Sequence, residues 1–151
     1  QYNLPIMKDL LYLKDEQLKD LIEKLFIVYR DTFTDPKKIL NKYSIGTAHH
    51  KVIHLISTHE GISISELLKK LRITKQSLNR VLKDLTKLEI IRFEKDEKDT
   101  RIKHIYLKEK GKKIFLEIFE TQKKRIYNAL MNSSSDEVVN FDKVLKKIIN
   151  G

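Results

Sequence analysis

Cysteine is absent from this chain of 151 residues. Its absence excludes disulfide bonds, thiol catalysis and thiol-based redox sensing, and it leaves histidine and carboxylate side chains as the candidates for any metal site. The sequence also lacks an apolar run long enough to span a membrane, and no secretory signal opens it. We therefore expect a cytoplasmic protein without a membrane partner.

Motifs for catalysis are missing as well. No residues are spaced as a nucleophilic triad, a phosphate-binding loop or a pair of catalytic carboxylates. The run Ser134-Ser135-Asp136 is better explained as the cap of a helix than as part of a catalytic site. The sequence thus predicts a protein that is not an enzyme, with no catalytic residues and no cofactor.

Basic residues are what the chain has in excess. Lys and Arg number 31 against 21 Asp and Glu, which gives a net charge of +10 and an isoelectric point of about 9.6. A small protein with this charge usually has an anionic partner, most often nucleic acid, although a merely soluble basic protein is the simpler alternative. The hydrophobic share of 40% is enough for one domain with its own core.

The stretch 74–89 combines an apolar stripe with a basic face. Its apolar residues recur at the spacing of one side of an α-helix, and Thr74 can act as the N-cap. Amide and basic groups on the opposite face suit the major groove of DNA, where Arg and Lys read guanine and Asn and Gln read adenine. The alternative is a solvated basic face on a buried helix. The stripe comprises Leu78, Val81, Leu82, Leu85 and Leu88, and the basic face comprises Lys75, Gln76, Asn79, Arg80, Lys83 and Lys87.

Two helices are predicted directly before this stretch. A helix over residues 47–58 can be capped by Thr47, and a capping box formed by Ser63 and Glu66 begins a short helix over residues 64–71. A tight turn then leads into the helix at 74–89, so that the two form a helix-turn-helix whose second member reads the groove. The predicted inward side of the helix at 47–58 consists of Ala48, Val52, Leu55 and Ile56.

The period of the pattern changes from 3.6 to 2 after the recognition helix, as we name residues 74–89. Residues 91–95 and 103–107 alternate between apolar and polar side chains, and residues 96–101 between them are polar and turn-forming. This pattern predicts a β-hairpin with a charged tip. A hairpin directly after a helix-turn-helix is a wing.

Long helices are predicted towards both ends of the chain. We expect residues 1–6 to be loose and a helix to run from about Met7 to Phe33. The run Thr34-Asp35-Pro36 then breaks the helix and begins an irregular connection over 34–46. After the wing, one helix runs from residue 108 to about 132, and a capping box at Ser134 and Glu137 starts the last helix. Apolar stripes on these helices have few partners within one winged-helix unit, so we expect a dimer. The stripes contain Leu18, Leu21, Ile22, Leu25, Phe26 and Tyr29, then Phe115, Ile118, Phe119, Ile126 and Leu130, and finally Val138, Phe141, Leu145 and Ile148.

The wing carries a spaced motif made of Asp96, Asp99, Arg101, Leu107 and Gly111. In this motif, residues 45–111 resemble the MarR family of bacterial winged-helix transcription regulators, whose wing reads D-P-x-D-x-R, five further residues, L-T, two further residues and G. The chain matches this spacing without a gap. The long helices before and after are similar to the family's dimerisation region, so the resemblance extends over nearly the whole chain.

Four positions depart from the family pattern. Glu97 replaces the proline, and Lys108 replaces the threonine that usually caps the next helix. Glu89 stands where glycine usually ends the recognition helix, and Phe93 stands where an arginine usually sits. The first three concern local geometry, and the last concerns a phosphate contact.

The resemblance implies a mainly α-helical fold with a small β-hairpin wing, in which N- and C-terminal dimerisation helices flank a winged helix-turn-helix. It implies a single domain over residues 1–151, with dimerisation helices in 1–33 and 109–151 and the DNA-binding region in 45–108. Family members are homodimers whose recognition helices enter successive major grooves while the wing tips enter the minor groove. Arg101 occupies the minor-groove position, where a long planar cation suits A·T-rich DNA, and Asp99 is the acid that orients it. The alternative is an ordinary ion pair at a hairpin tip.

The candidate DNA-binding residues follow from these placements. The first two turns of the recognition helix usually reach base edges, whereas lysines beside them contact phosphates. We expect a double-stranded, inverted-repeat operator with half-sites roughly 10 base pairs apart. Base reading is assigned to Gln76, Ser77, Asn79 and Arg80, and phosphate contact to Lys69, Lys70 and Lys83; the full set adds Lys75, Lys98, Asp99, Arg101 and Lys103.

Two further sites have competing interpretations. His49, His50, His54 and His59 lie on or beside the helix at 47–58, and the spacing of His50 and His54 could suit a divalent metal, as in relatives that sense zinc. Solvated or hydrogen-bonded histidines are the better explanation, so no metal ligand is predicted. Relatives also bind phenolic effectors between the dimer helices and the winged helix; here Phe26, Tyr29, His54 and Phe115 could line such a pocket, with plain core packing as the alternative.

The sequence thus predicts a cytoplasmic, homodimeric, sequence-specific DNA-binding regulator. We expect it to be a repressor that a small effector releases from its operator. The alternative from another class is a winged helix that serves as a protein-interaction module and docks on an acidic partner. Salt-dependent binding to random duplex DNA separates these two functions.

Overall fold

The computed structural model describes residues 10–151. The chain is divided into two compact units, Gln1–Asp35 and Pro36–Gly151. The predicted fold class is confirmed, because helices dominate and a small antiparallel sheet forms the wing. The predicted loose residues 1–6 and the predicted helix start at Met7 lie outside the described residues.

The first unit contains the long helix α1 (Asp15–Thr34), preceded by a 3-10 turn over Leu11–Leu13. The prediction of one continuous helix is wrong at Lys14, because its extended backbone separates the turn from α1. Asp15 and Glu16 place negative charge in the first turn, where the helix dipole favours it. The helix has no buried residue, and its predicted apolar stripe is exposed.

The second unit begins with a short helix, α2 (Lys37–Lys42), within the region predicted to be irregular. Pro36 precedes it as the N-cap residue, a place where the missing backbone N–H is not needed. Leu40 is buried and fixes the helix to the core. A helix of six residues is too short to show a periodic pattern, which is why the prediction for 34–46 is wrong.

The helix α3 (Thr47–Thr58) has the predicted bounds but a different cap and a different inward face. Its N-cap is Gly46 rather than Thr47, because the Gly46 N–H donates to His49 Nδ1 at 3.1 Å. The predicted inward placement of Ala48 is wrong, since this residue is exposed. The buried face consists of His50, Val52, Ile53 and Ile56, with Leu55 half-buried.

The helix-turn-helix and the wing follow as predicted. They comprise α4 (Ile64–Leu71), α5 (Lys75–Lys87), β2 (Ile91–Lys95) and β3 (Lys103–Leu107). The sheet has one more strand than predicted, because β1 (Ile62–Ser63) pairs antiparallel with β3 and gives the order β1-β3-β2. A strand of two residues is too short to show alternation in the sequence.

Two helices complete the second unit, α6 (Glu109–Met131) and α7 (Ser135–Asn150). Gly111 lets α6 approach the end of the recognition helix, because a Cβ at this position would lie 2.3 Å from the Ile90 carbonyl oxygen. This contact explains physically why the motif of the wing ends in glycine. Within residues 10–151 no helix has the length and apolar character that crossing a bilayer needs. Fully buried side chains of the core include Ile53, Ile56, Leu67, Leu78, Leu85, Ile105 and Ile118.

Candidate nucleic-acid interface

The turn between α4 and α5 positions the recognition helix. Glu66 N–H donates to Ser63 Oγ, and Ser63 N–H donates to Glu66 Oε1, both at 3.2 Å, so the predicted capping box is confirmed. The hydrogen bond from the Ser63 backbone is the main cause of a lowered pKa of the Glu66 carboxyl. Arg72 ends α4 in the left-handed conformation with φ of 52°, which turns the chain towards α5.

Local hydrogen bonds and burial set the orientation of α5. Ser77 N–H donates to Thr74 Oγ1 at 3.1 Å, which confirms Thr74 as the N-cap, and the Thr74 hydroxyl donates to Ser77 Oγ at 2.8 Å. Burial of the apolar stripe turns the opposite side of the helix to solvent. The predicted base-reading and phosphate residues of the helix-turn-helix are all exposed, namely Lys69, Lys70, Lys75, Gln76, Ser77, Asn79, Arg80 and Lys83.

Asp84 is an acid at the side of the recognition helix. Its Oδ2 lies 3.0 Å from Nε2 of His49 in α3. The acid therefore has a partner of its own on a neighbouring helix.

Asp99 fixes the guanidinium of Arg101 at the tip of the wing. Arg101 donates from Nε to Asp99 Oδ1 at 3.0 Å and from Nη2 to Oδ2 at 3.1 Å. The arginine side chain is nevertheless 89% exposed, so the fork projects into solvent. The side-chain hydrogen bonds lower the pKa of Asp99 and raise the pKa of Arg101. The ion pair that the resemblance implies is present, and its contact with DNA stays a prediction.

A second carboxylate, that of Asp96, shapes the wing tip. Asp96 Oδ2 accepts the N–H groups of Lys98 and Asp99, both at 3.0 Å, while Oδ1 lies 2.8 Å from His104 Nε2. The other ring nitrogen of His104 lies 2.8 Å from the Gly61 carbonyl oxygen. The histidine–aspartate hydrogen bond raises the pKa of His104 and lowers the pKa of Asp96.

Sequence reasoning missed His104 as a functional candidate. In the alternating strand it shows only as a polar residue. Its contact with Gly61 joins residues 43 positions apart, which no local pattern reveals. The feature of the sequence that could have identified it is the position of this histidine beside Lys103, a predicted DNA-binding residue of the same strand.

Phe93, which replaces an arginine of the family pattern, is half-buried in β2. The ammonium of Lys103 lies 5.7 Å from the centre of its ring. This cation–π contact keeps a positive charge beside the position that lacks one. Lys103 and Lys98, both predicted to bind DNA, are exposed.

Two other departures from the family pattern meet in one ion pair. Glu89 has φ of 62°, in the left-handed region that favours glycine. Its carboxylate pairs with the ammonium of Lys108, and this hydrogen bond lowers the pKa of Glu89. Lys108 precedes α6 without forming a side-chain cap. The ion pair joins the end of the recognition helix to the start of α6.

The histidines around α3 have different environments. Burial, with the nearby charge of His54 as the second cause, lowers the pKa of His50 to about 4. Burial also lowers the pKa of His54, whose ring meets Phe115 edge-on with centroids 5.6 Å apart. Within residues 10–151 no three His, Cys, Asp or Glu side chains are grouped so that they could hold a metal ion.

The four predicted effector residues are divided between the two units. His54 and Phe115 are in contact within the second unit. Phe26 and Tyr29 belong to the first unit, where the rings of Tyr29 and Phe33 lie 4.9 Å apart. A pocket formed by all four stays a prediction.

Comparison with known proteins adds evidence of relationship. A sequence model of the MarR family matches residues 43–102. The chain is 37% identical over 141 residues to the HTH-type transcriptional regulator PetP of Rhodobacter capsulatus. The matched region covers 93% of this chain and 85% of that protein.

Solved structures share the fold. Staphylococcus aureus MarR in complex with salicylate and kanamycin matches with a TM-score of 0.71 at 22% identity, over 89% of this chain and 91% of that chain. A mutant of S. aureus MepR bound to an oligodeoxyribonucleotide matches with a TM-score of 0.59 at 19% identity, over 85% of this chain and 96% of that chain. At these identities the likeness establishes a common architecture.

Proposed function

The chain belongs to the MarR family of transcriptional regulators, and on this premise we propose that it acts in the cytoplasm as a homodimeric repressor that binds a specific site in double-stranded DNA. Its relatives regulate transcription, which confirms the prediction that the chain is not an enzyme. The observation that carries the proposal is the pairing of two exposed basic elements in one unit. These are the outer face of α5 and the wing arginine held by Asp99.

The recognition helix reads bases in the major groove. Gln76 and Arg80 lie one turn apart on the same exposed face, so both can meet one half-site. Ser77 is short and lets the helix approach the base edges closely. Phosphate contacts come from Lys69 and Lys70 in the last turn of α4 and from Lys83 further along α5. These contacts fix the register of the helix without carrying sequence information.

Arg101 enters the minor groove beside the half-site. The narrow minor groove of A·T-rich DNA has a strongly negative potential that attracts a planar cation. Because Asp99 already holds the guanidinium in one orientation, less conformational freedom is lost on binding than with a free arginine.

A second copy of the chain covers the exposed apolar residues of the long helices. α1 and α7 each have no buried residue, and α6 exposes apolar side chains from Leu116 to Met131. Exposed apolar surface of this extent usually marks an interface. On α6 and α7 it includes Phe119, Ile126, Tyr127, Leu130, Phe141, Val144 and Ile148. Two-fold symmetry then presents two recognition helices to an inverted repeat.

A small aromatic acid is the effector class that we propose. The related S. aureus MarR has been solved with salicylate, and His54 and Phe115 form an aromatic pair in this chain. Salicylate is therefore the probe: added to the protein–DNA complex, it should weaken binding, and His54→Ala should remove the effect. An unchanged affinity at millimolar salicylate contradicts this part of the proposal.

Binding to random-sequence duplex DNA at several salt concentrations tests the function. For a DNA-binding protein the logarithm of the binding constant falls linearly with the logarithm of the salt concentration, with a slope set by the number of phosphates that it neutralises. We expect such a slope for this chain. No binding to duplex DNA at low salt would instead favour the protein-interaction module with an acidic partner.

A further inference from the structure

Both ring nitrogens of His104 face oxygen atoms that only accept hydrogen bonds. Nδ1 lies 2.8 Å from the Gly61 carbonyl oxygen, and Nε2 lies 2.8 Å from Asp96 Oδ1. A neutral imidazole has a single N–H and can donate only one of these bonds, whereas an imidazolium donates both. Asp96 remains a carboxylate here, because its other oxygen accepts the N–H groups of Lys98 and Asp99. The two contacts together require the protonated ring.

His49 in α3 also contacts an aspartate, but its two ring nitrogens face one donor and one acceptor. Its Nδ1 accepts the Gly46 N–H at 3.1 Å, and its Nε2 faces Asp84 Oδ2 at 3.0 Å. One donor and one acceptor satisfy a neutral imidazole. Of these two histidine–aspartate contacts, only that of His104 depends on an additional proton.

The acids around His104 favour the imidazolium. The hydrogen bond to Asp96, directly after β2, is the largest cause that raises the pKa of His104; the hydrogen bond to the Gly61 carbonyl comes second, and the charge of Glu66 in α4 adds to both. Glu94 lies opposite His104 in β2, but its carboxylate pairs with Arg92 at 3.2 Å.

The cations near His104 are engaged elsewhere. The guanidinium of Arg92 lies 4.6 Å from the centre of the Tyr106 ring and pairs with Glu94. Lys103, the preceding residue in β3, has its ammonium over Phe93. His59 lies near Glu66, the acid that also faces His104. Asp96 is thus the ionic partner that the structure gives His104.

We propose that His104 is a positioning residue for the wing arginine. As an imidazolium it donates one hydrogen bond to Asp96 at the wing tip and one to Gly61 in the turn before β1, and we call this pair of hydrogen bonds the clasp. The connection runs through Asp96, which accepts the Asp99 backbone N–H, and then through the Asp99 carboxylate to Arg101. When His104 loses its proton, one of its two hydrogen bonds is lost and the tip is held less firmly. The inference rests on the proposed DNA-binding function and adds control by protons to it.

The dependence on pH has a definite sign. The pKa of His104 is raised in the clasped wing above the ordinary histidine value of about 6.5. The clasp is therefore complete below about pH 6.5 and is lost as the pH rises through the raised value. Affinity for DNA should fall over the same range.

Titrations with an A·T-rich duplex, recovered from a random pool by the wild-type protein, test the proposal by fluorescence anisotropy at constant ionic strength. For the wild type we expect roughly three- to tenfold weaker binding at about pH 8.5 than at about pH 6. This loss is smaller than that of a whole groove contact, because Arg101 remains and only its positioning weakens. His104→Gln, whose amide can donate to Asp96 at either pH, should show a clearly flatter dependence. His104→Leu, which can donate to neither acceptor, should bind weakly throughout.

His49→Gln is the matched control, since it makes the same replacement in the histidine–aspartate pair that needs no additional proton. This variant should keep the wild-type dependence on pH. His50, His54 and His59 are present in every protein compared, so comparing each glutamine variant with the wild type separates the effect of His104 from that of His49. A wild-type dependence no steeper than that of His104→Gln overturns the inference while leaving the proposed function intact.

Side-chain nitrogen NMR of the wild-type protein gives a readout that needs no DNA. We expect both ring nitrogens of His104 to keep their protons above the ordinary histidine pKa of about 6.5, and loss of one proton at or below that value would overturn the inference. Failure to bind any duplex at any pH would overturn the proposed function, and with it the role of His104 in DNA binding. The NMR result then shows whether the clasp itself exists, so the two failures are distinguishable.

Discussion

At the scale of single residues, Arg101 is the side chain on which minor-groove binding depends most directly. Arg101→Ala should weaken binding to an A·T-flanked site roughly tenfold to a hundredfold, the range for a well-made groove contact. Asp99→Ala should weaken it less, because the cation remains and only its orientation is lost. Titrations of both variants against one duplex measure the effect. Equal affinity of the wild type and Arg101→Ala would remove the minor-groove role.

His50 gives a prediction about stability. Because its pKa in the folded protein is lowered to about 4, the unfolded chain takes up a proton first as the pH falls below about 6.5. Stability is therefore present above that value and decreases towards pH 4, by at most about 3 kcal/mol. Urea unfolding at about pH 7 and pH 4.5, at one protein concentration, should show a larger acid loss in the wild type than in His50→Leu. An equal loss in both proteins would contradict the assignment.

Residues with local partners were predictable, and residues with distant partners were not. Asp99 and Arg101 are two positions apart, and the motif of the wing identifies them together. His104 contacts Gly61, and His50 shares an environment with Gln122, each partner lying far along the chain. Burial of a histidine depends on tertiary packing, so the spacing of His50 and His54 suggested a metal site without deciding its environment.

At the scale of elements, substitutions in α4 and α5 should have different effects on DNA binding: those in α4 should lower affinity for every sequence, and those in α5 should lower the preference for one sequence. Lys69→Ala should weaken binding to a selected duplex and to a scrambled duplex alike, and it should reduce the magnitude of the salt slope by about 1. Arg80→Ala should reduce the preference for the selected duplex, because it removes a base contact. Lys124→Ala, an exposed lysine of α6, is the control and should change neither quantity. A uniform loss for Arg80→Ala would mean that it contacts phosphate.

Element boundaries were predictable where the signals that set them are local. The capping residues Ser63 and Thr74 fix the starts of α4 and α5, and alternation fixes β2 and β3. The elements α2 and β1 were missed because they are too short for a period and depend on contacts made elsewhere, such as the burial of Leu40. Ala48 was misplaced because a small residue at helical spacing does not establish which face is buried.

At the scale of the whole molecule, the exposed apolar helices predict a dimer. Light scattering at micromolar concentration should give about twice the chain mass of 17.9 kDa. Phe141→Glu on α7 should shift the protein towards the monomer, because it places a charge in the apolar stripe. Asn140→Glu adds the same charge at a neighbouring exposed polar position and should leave the dimer intact. A wild-type mass of one chain would remove the basis for symmetric DNA reading.

The fold class and the winged helix-turn-helix were predictable from the sequence, because the motif of the wing and the helix caps are continuous in the chain. Which helices would pair between two copies was not predictable, since α1, α6 and α7 have similar apolar stripes. Such stripes indicate that a partner is needed without specifying which helix provides it. The division into dimerisation helices and DNA-binding region therefore stays a prediction.

Reading of DNA sequence by α5 in a symmetric dimer is the part of the proposed function on which the rest depends. Selection of bound duplexes from a random pool, run in parallel for the wild type and for the Gln76→Ala/Arg80→Ala variant, tests it most directly. For the wild type we expect an inverted repeat with half-sites roughly 10 base pairs apart, and for the variant relaxed preference at one or two base pairs in each half-site. A wild-type pool without an inverted repeat, or the same preferred site for both proteins, would contradict base reading by this helix.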